Sequence, residues 1–201
     1  MKTSVEVMKE LALEVWNYFG RSHKSDGFTI TRNKKIAPLH IVVEQENLKL
    51  CEHILDRMKD KNPKADMKLF YRGVFIYRVT YAPTPLHIAA FKGHSQMCSL
   101  MIGHIDVKEF DVDTFTPLHI AAIAGHLNVF KVIMESQIEK NPANQFGETP
   151  LHLAALQNHF DICKLIISNV KNIHPTTKYV KTPKDYAIVN GNWEIIKLFE
   201  P

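Results

Sequence analysis

One eleven-residue pattern recurs five times along the chain. It occurs as TPLHIAAFKGH from residue 84, TPLHIAAIAGH from residue 116 and TPLHLAALQNH from residue 149. Weaker copies, APLHIVVEQEN and TPKDYAIVNGN, begin at residues 37 and 182. The regular copies begin about 33 residues apart, and a motif that recurs at a nearly constant period predicts a stacked array of similar units rather than a single compact core.

Each copy carries residues suited to a pair of short helices. The threonine can cap the free amides of a helix, and the proline after it suits the first helical position. Gly93 and Gly125 suit a residue that leaves the helix with positive φ. A second apolar segment follows, as in Val129, Val132 and Ile133. The sequence therefore predicts helical pairs that must stack on their neighbours to bury their apolar faces.

The period and the T-P-L-H-x-A opening resemble those of the ankyrin repeat. The resemblance covers residues 37–201 and implies an all-α solenoid of helix-turn-helix units with β-hairpin loops, about five repeats plus an N-terminal helix. The N-terminal helix is expected at residues 4–19, from its apolar stripe. The expected units are a capping segment, 1–36, and five repeats: 37–83, 84–115, 116–148, 149–181 and 182–201.

The histidines and cysteines follow the same period, which argues against catalysis and metal binding. Seven of the eleven histidines are periodic, and stacked helices lie roughly 8–10 Å apart, too far for successive imidazoles to share one zinc ion. The resemblance implies that the TPLH imidazole instead bonds the threonine hydroxyl and the loop backbone. Cys51, Cys98 and Cys163 share one position and are expected to be buried thiols. Since no phosphate-binding or nucleophile motif occurs, we predict no enzyme, no metal and no cofactor.

The first repeat is longer than the others, and its extra residues lie between Pro63 and Thr84. Residues 64–83 are rich in aromatic and β-branched residues around Gly73, which predicts a lengthened β-hairpin. Residues 59–83, the basic finger, carry six basic and two acidic residues, a net charge of +4 that equals the formal charge of the whole chain.

The basic finger is one candidate binding site. Cations that pair with phosphates and aromatic rings that stack on bases are typical of single-strand binding. Two interpretations stay open beside it: an acidic protein surface as ligand, or aromatic side chains that merely pack on the flanking repeats. The candidate residues are Lys64, Lys68, Phe70, Tyr71, Arg72, Phe75, Tyr77 and Arg78.

The resemblance places partner binding on the hairpin tips and on the two residues after the alanine pair. By position these are Phe91, Lys92, Ile123, Ala124, Leu156 and Gln157 from the helices, and Val112, Asp113, Phe115, Gln145, Phe146 and Glu148 from the hairpins. Several are apolar where the scaffold does not require it, so we expect an exposed apolar patch that binds a protein. The alternative is that these side chains support the neighbouring hairpins.

The sequence thus predicts a non-catalytic adaptor, scaffold or inhibitor, monomeric, that binds a protein partner. No stretch of 18 apolar residues could span a membrane, and three cysteines do not make a disulfide framework, so we expect a cytoplasmic or nuclear protein. A regulatory fragment of a larger ankyrin-containing protein stays open, because the chain stops at Pro201 directly after an apolar segment. Asn62 and Asn141 occupy the hairpin position that is hydroxylated in some ankyrin-like proteins.

Overall fold

A computed structural model describes residues 38–58, 61, 63, 68–73, 76–81, 83–105, 115–137 and 139–200. Within these ranges the chain forms five pairs of short helices and one two-stranded hairpin. The all-α array of helical pairs predicted from the repeat is confirmed. The capping segment 1–36, with its predicted helix at 4–19, lies outside the described residues.

The helices form two layers along the stack. The first helices of the pairs are α1 (Pro38–Glu44), α3 (Pro85–Lys92), α5 (Pro117–Ala124), α7 (Pro150–Leu156) and α9 (Pro183–Val189). The second helices are α2 (Leu48–Arg57), α4 (Ser95–Ile102), α6 (Leu127–Ser136), α8 (Phe160–Asn169) and α10 (Trp193–Lys197). Each helix packs on the equivalent helix of the next pair. One apolar core therefore extends between the layers from Leu39 to Phe199.

The starts and ends of the first helices agree with the predicted caps. Threonine is the N-cap residue and proline the first helical residue in α3, α5, α7 and α9. Gly93 and Gly125 follow α3 and α5 with φ of +83° and +78°, a conformation that costs glycine little. Helices of about two turns are unstable alone, so the stacking of neighbouring pairs stabilises them.

The TPLH imidazole joins each central unit to the loop that follows. The Nδ1 atom of His87 lies 2.8 Å from Oγ1 of Thr84, and its Nε2 lies 2.7 Å from the backbone oxygen of Phe115. His119 and His152 make the same pair of bonds. Because a carbonyl only accepts, Nε2 carries the proton and Nδ1 accepts from the hydroxyl, so the ring is neutral. The structural role implied by the family resemblance is confirmed.

The cysteines are buried in the second-helix layer. Cys51, Cys98 and Cys163 have no solvent exposure and form no disulfide. Burial raises the pKa of each thiol to about 12, so the thiolate is absent near neutral pH. The prediction of buried thiols that behave as small apolar groups is confirmed.

The basic finger contains the predicted hairpin. Strand β1 (Lys68–Gly73) pairs antiparallel with β2 (Ile76–Tyr81). The register runs from Lys68 opposite Tyr81 to Gly73 opposite Ile76. The hairpin leaves the stack between α2 and α3, in the loop to which the sequence assigned the extra residues.

Candidate partner-binding surface

The loop between α6 and α7 ends in a tight turn that holds Phe146 outward. The side-chain oxygen of Asn144 accepts hydrogen bonds from the amides of Phe146 (2.8 Å) and Glu148 (3.0 Å). Gly147 has φ of +76° at the bend, and its amide donates to the backbone oxygen of Asn144 at 2.9 Å. This Asx-type turn leaves Phe146 38% exposed.

The loop between α8 and α9 repeats this construction with a threonine. Oγ1 of Thr177 accepts hydrogen bonds from the amides of Tyr179 (3.3 Å) and Lys181 (3.2 Å). Val180 stands at the bend with φ of +56°. The side chains of Tyr179 and Val180 are 75% and 77% exposed, so this turn presents two apolar groups to solvent.

The two turns are joined. The amide of Lys178 donates to the backbone oxygen of Phe146 at 2.9 Å, and a Cβ atom at Gly147 would lie 3.0 Å from Cα of Thr177. Phe146, Tyr179 and Val180 therefore lie on adjoining turns, and together they form what we call the tip patch.

Three members of the predicted apolar patch are buried, which corrects the expectation of their exposure. Phe115, Ile123 and Leu156 are each at most 8% exposed. The following unit covers Ile123 and Leu156: Nε2 of His159 donates to the backbone oxygen of Ile123 at 3.0 Å, and the side chain of Asn190 donates to the backbone oxygen of Leu156 at 2.7 Å. Phe115 instead packs edge-on against the ring of His119, with ring centroids 5.7 Å apart. These residues belong to the core of the stack.

Glu148 is also buried, although it was predicted to contact a partner. Its carboxylate accepts hydrogen bonds from the hydroxyl of Tyr186 at 2.6 Å and from the side-chain amide of Asn144 at 3.0 Å. Since Tyr186 lies in α9, this carboxylate holds the 144–148 turn against the next unit. Its role in the structure is internal.

The remaining predicted residues differ in exposure. Phe91 is partly buried against the core, and Nζ of Lys92 lies 3.7 Å from the carboxylate of buried Glu44. Ala124 and Gln157 are half-buried, and Gln145 is exposed beside Phe146. Val112 and Asp113 lie outside the described residues.

The repeat pattern also matches a known family. A family model described as "Ankyrin repeats (3 copies)" matches residues 39–144 and 136–200. The chain belongs to the ankyrin-repeat family. The comparison with curated proteins found no match.

The ankyrin period explains why the two turns resemble each other. Asn144 and Thr177 are one repeat period apart, as are Phe146 and Tyr179. Tyr179 and Val180 were not among the surface residues predicted from the motif. Applying the period to Phe146 would have found Tyr179, whereas the bond between the two turns depends on how the ankyrin units stack.

The register of the finger places the three basic residues of its strands opposite tyrosines. Lys68 is paired with Tyr81, Arg72 with Tyr77 and Arg78 with Tyr71. Because residues alternate between the faces of a strand, Lys68, Phe70 and Arg72 belong to the same face as their partners on β2. Lys64 and Phe75 lie outside the described residues.

Neither a metal site nor a membrane-spanning helix is found among the described residues. In this part of the chain no three histidine, cysteine, aspartate or glutamate side chains are grouped so that they could hold a metal ion. Every helix described there is too short or too polar to cross a membrane. The predicted hydroxylation position Asn141 accepts a hydrogen bond from the amide of Leu151 at 3.0 Å; its counterpart, Asn62, is outside the described residues.

Proposed function

We propose that this ankyrin-repeat chain is a non-catalytic adaptor, scaffold or inhibitor that binds a protein partner through the tip patch. Ankyrin repeats are generally protein interaction modules. Adjoining exposed apolar side chains on a soluble surface are typical of protein interfaces. Aromatic residues at the centre of an interface often carry most of the binding energy, so Phe146 and Tyr179 are the expected anchors.

The backbone at Val180 is the observation that carries this proposal. A β-branched residue with φ of +56° is unfavourable, and the equivalent position of the preceding unit is Gly147, with φ of +76°. The Val180 side chain is largely exposed, so side-chain packing within the chain does not offset this strain. Backbone bonds hold the turn, including the one from the Val180 amide to the backbone oxygen of Thr177 at 2.9 Å. Strained residues that the surrounding structure holds in place cluster at functional sites, so we infer that a partner covers the valine side chain.

The rest of the contact surface is polar. Gln145 precedes Phe146 in the turn, and Lys178 and Lys181 flank the exposed pair of the next turn. On the concave side Lys92, Ala124 and Gln157 stay accessible in part and extend the proposed interface. A polar rim around an apolar centre is the usual anatomy of such interfaces.

Substitution of Val180 by glycine separates binding from folding. We expect Val180→Gly to raise the free energy of unfolding by about 1 kcal/mol, because glycine adopts positive φ freely, and to weaken capture of the partner from native lysate. Phe146→Ser with Tyr179→Ser should abolish capture while leaving stability nearly unchanged. Quantitative mass spectrometry of the captured proteins and chemical denaturation measure the two effects.

A matched control uses exposed residues of the second-helix layer. Lys131→Ser with Lys164→Ser changes two exposed side chains away from both turns and should retain the same captured proteins. If the tip-patch variants capture the wild-type set of proteins at wild-type levels, the tip patch is not the binding site.

The basic finger supports a second candidate function. One face of its ribbon combines Lys68 and Arg72 with aromatic residues of both strands, which favours binding of single-stranded nucleic acid or of an acidic protein surface. Its phosphate contacts would make nucleic-acid affinity fall steeply as salt rises.

The proposed setting is intracellular, in the cytoplasm or nucleus, with the chain as a monomer. Three cysteines without disulfides fit a reducing compartment. Size-exclusion chromatography with light scattering tests the monomer.

A further inference from the structure

The turn that presents Tyr179 and Val180 to solvent has a lysine on each side of that pair. Lys178 precedes it and Lys181 follows it, and all four side chains are exposed. Two backbone hydrogen bonds of 2.9 Å fix the lysines in the turn: the amide of Lys178 donates to the adjoining turn, and the backbone oxygen of Lys181 accepts from the amide of Thr177. The apolar pair is therefore flanked by cations in a turn whose backbone is held.

The carboxylates that the structure describes leave these lysines available. Among the described residues neither Lys178 nor Lys181 forms an ion pair. The pKa of the Asp185 carboxyl is lowered chiefly by hydrogen bonds from Thr182, and Lys181 adds a smaller effect. That carboxylate accepts from the amide and the hydroxyl of Thr182, both at 2.8 Å, so it is already engaged at the start of α9.

The loop that carries the lysines is basic over its whole length. Residues 170–181 contain three lysines and no aspartate or glutamate. The adjoining loop, residues 141–148, contains one acidic residue, Glu148, and its buried carboxylate is occupied by the hydroxyl of Tyr186 at 2.6 Å. In contrast, residues 106–114 in the loop of the second unit contain four acidic residues and one lysine. Positive charge is thus a property of the loop with Tyr179 and Val180, not of every loop.

The two side chains between the lysines favour a protein as the ligand. Nucleic acids bind flat aromatic rings by stacking, which would use Tyr179 but not the aliphatic side chain of Val180. The Val180 side chain is 77% exposed, and covering it with an apolar side chain removes that surface from water. An apolar contact next to cations calls for a ligand that carries both an apolar group and carboxylates.

We propose that the tip patch binds an acidic segment of its protein partner, in which aspartate or glutamate residues flank an apolar residue. The proposal rests on the function proposed above for the tip patch and adds the chemical class of the partner. The apolar residue covers Val180 and packs on the ring of Tyr179, while the carboxylates face Lys178 and Lys181. Complementary charge supplies the selectivity, because a basic segment would meet like charges at the same contact.

Selection from a random peptide library tests the charge without assuming a sequence. The full chain is immobilised, and the peptides that bind it but not the Tyr179→Ser, Val180→Gly variant are sequenced. We expect these peptides to be enriched in aspartate and glutamate next to an apolar residue. Peptides that need Tyr179 and Val180 but show no acidic enrichment would overturn the acidic segment while leaving the tip patch as a binding surface. Recovery of no such peptide would overturn the proposal as well, and capture from lysate then decides separately on the tip patch.

Matched variants locate the charge contact. Lys178→Gln with Lys181→Gln removes both charges without placing a carboxylate near Asp185, and it should weaken the selected peptides at least about tenfold. Lys131→Gln with Lys164→Gln removes the same charge from exposed positions of the second-helix layer and should leave their affinity unchanged. Thermal unfolding by circular dichroism shows whether both variants fold. Equal weakening by the two pairs would mean that only net charge acts, which contradicts a contact at the tip patch.

Two other anionic ligands are measured with the same variants. A single-stranded oligonucleotide that loses binding with both Tyr179→Ser and Lys178→Gln, and that the selected peptides do not displace, would identify the turn as a nucleic-acid site. Phosphatidylserine vesicles with the same behaviour would identify a lipid contact. Either result contradicts an acidic protein segment.

Discussion

At the scale of single residues, the glycine after α5 is explained by a histidine of the next unit. The Nε2 atom of His159 donates to the backbone oxygen of Ile123 at 3.0 Å, and its ring lies over Gly125. A Cβ atom at Gly125 would come within 2.3 Å of that ring. Glycine is thus required here both by its positive φ and by the imidazole that crosses it.

The units that lack this glycine show the consequence. Glu46 takes its place in the first unit with φ of +55°, and the ring of His94 contacts the Glu46 carboxylate through Nδ1 at 3.2 Å while its Nε2 is buried without a hydrogen bond. In the fourth unit Asn158 takes the place of glycine. The residue of the fifth unit that is equivalent to His159 is Asn192, and its side-chain amide donates to the backbone oxygen of Ala155 at 2.7 Å. Where a residue with a Cβ atom replaces this glycine, the residue of the next unit that crosses it differs from His159: His94 makes another contact, and Asn192 is not a histidine.

Opposite substitutions test this rule. Gly125→Ala should lower the free energy of unfolding by about 2 kcal/mol or more, because it combines unfavourable φ with overlap on His159. Glu46→Gly should raise it by about 1 kcal/mol, since it relieves positive φ and lets His94 take the position of the other rings. Urea denaturation monitored by circular dichroism measures both. If Gly125→Ala is as stable as wild type, the imidazole does not constrain this position.

At the scale of elements, the basic finger is an insertion that leaves the stack intact. Helices α1 and α3 pack together as the other first helices do, although the loop between their units is longer than the loops between later units. The His40 ring still reaches the backbone oxygen of Pro83 at 3.1 Å, the bond made by the other motif histidines. Lengthening a loop costs little entropy, so the finger can carry a function of its own.

A graft tests the independence of the finger. Replacing residues 63–83 by PANQFGE, the sequence of residues 142–148, restores the loop length of the later repeats. The last grafted residue still places a backbone oxygen directly before Thr84, where the His40 ring can bond it. We expect the graft to retain the helical spectrum and a cooperative transition. If single-stranded oligonucleotides bind the wild type at 50 mM salt, anisotropy should show that the graft does not bind. A graft that fails to fold would instead mean that the finger's aromatic residues pack on the flanking repeats.

At the scale of the whole molecule, buried neutral histidines make the array sensitive to acid. Burial lowers the pKa of His119 to about 3 and that of His152 to about 4. In the unfolded chain these groups titrate near 6.5. The unfolded state therefore binds more protons below that pH, and stability that is complete above pH 6.5 is lost as the pH falls toward 4.

The expected slope is about 1.4 kcal/mol per pH unit for each histidine that stays neutral in the fold. Replacing His119 by glutamine should cost about 1–3 kcal/mol at pH 7 and should flatten the dependence between pH 4 and 6 by the contribution of one proton. Chemical denaturation across this range measures both quantities. Parallel curves for wild type and variant would show that His119 is not protonated on unfolding.

The helical pairs and their caps follow from residues within the motif. The repeat predicted the helical pairs, the threonine caps, the glycine C-caps and the buried thiols, because each depends on residues within one motif or on its period. The finger was predicted for the same reason, since a local strand pattern interrupted the period. The role of the TPLH imidazole came from the family resemblance and was confirmed in three units.

Which apolar residues face solvent depends instead on how the units stack. Leu156 and Val189 hold equivalent positions, yet the first is buried by the unit that follows it and the second is exposed. The tip patch likewise depends on the bond between Lys178 and Phe146. Exposure in a stacked array depends on what the neighbouring unit covers, so a motif read within one unit predicts its helices but not its surface.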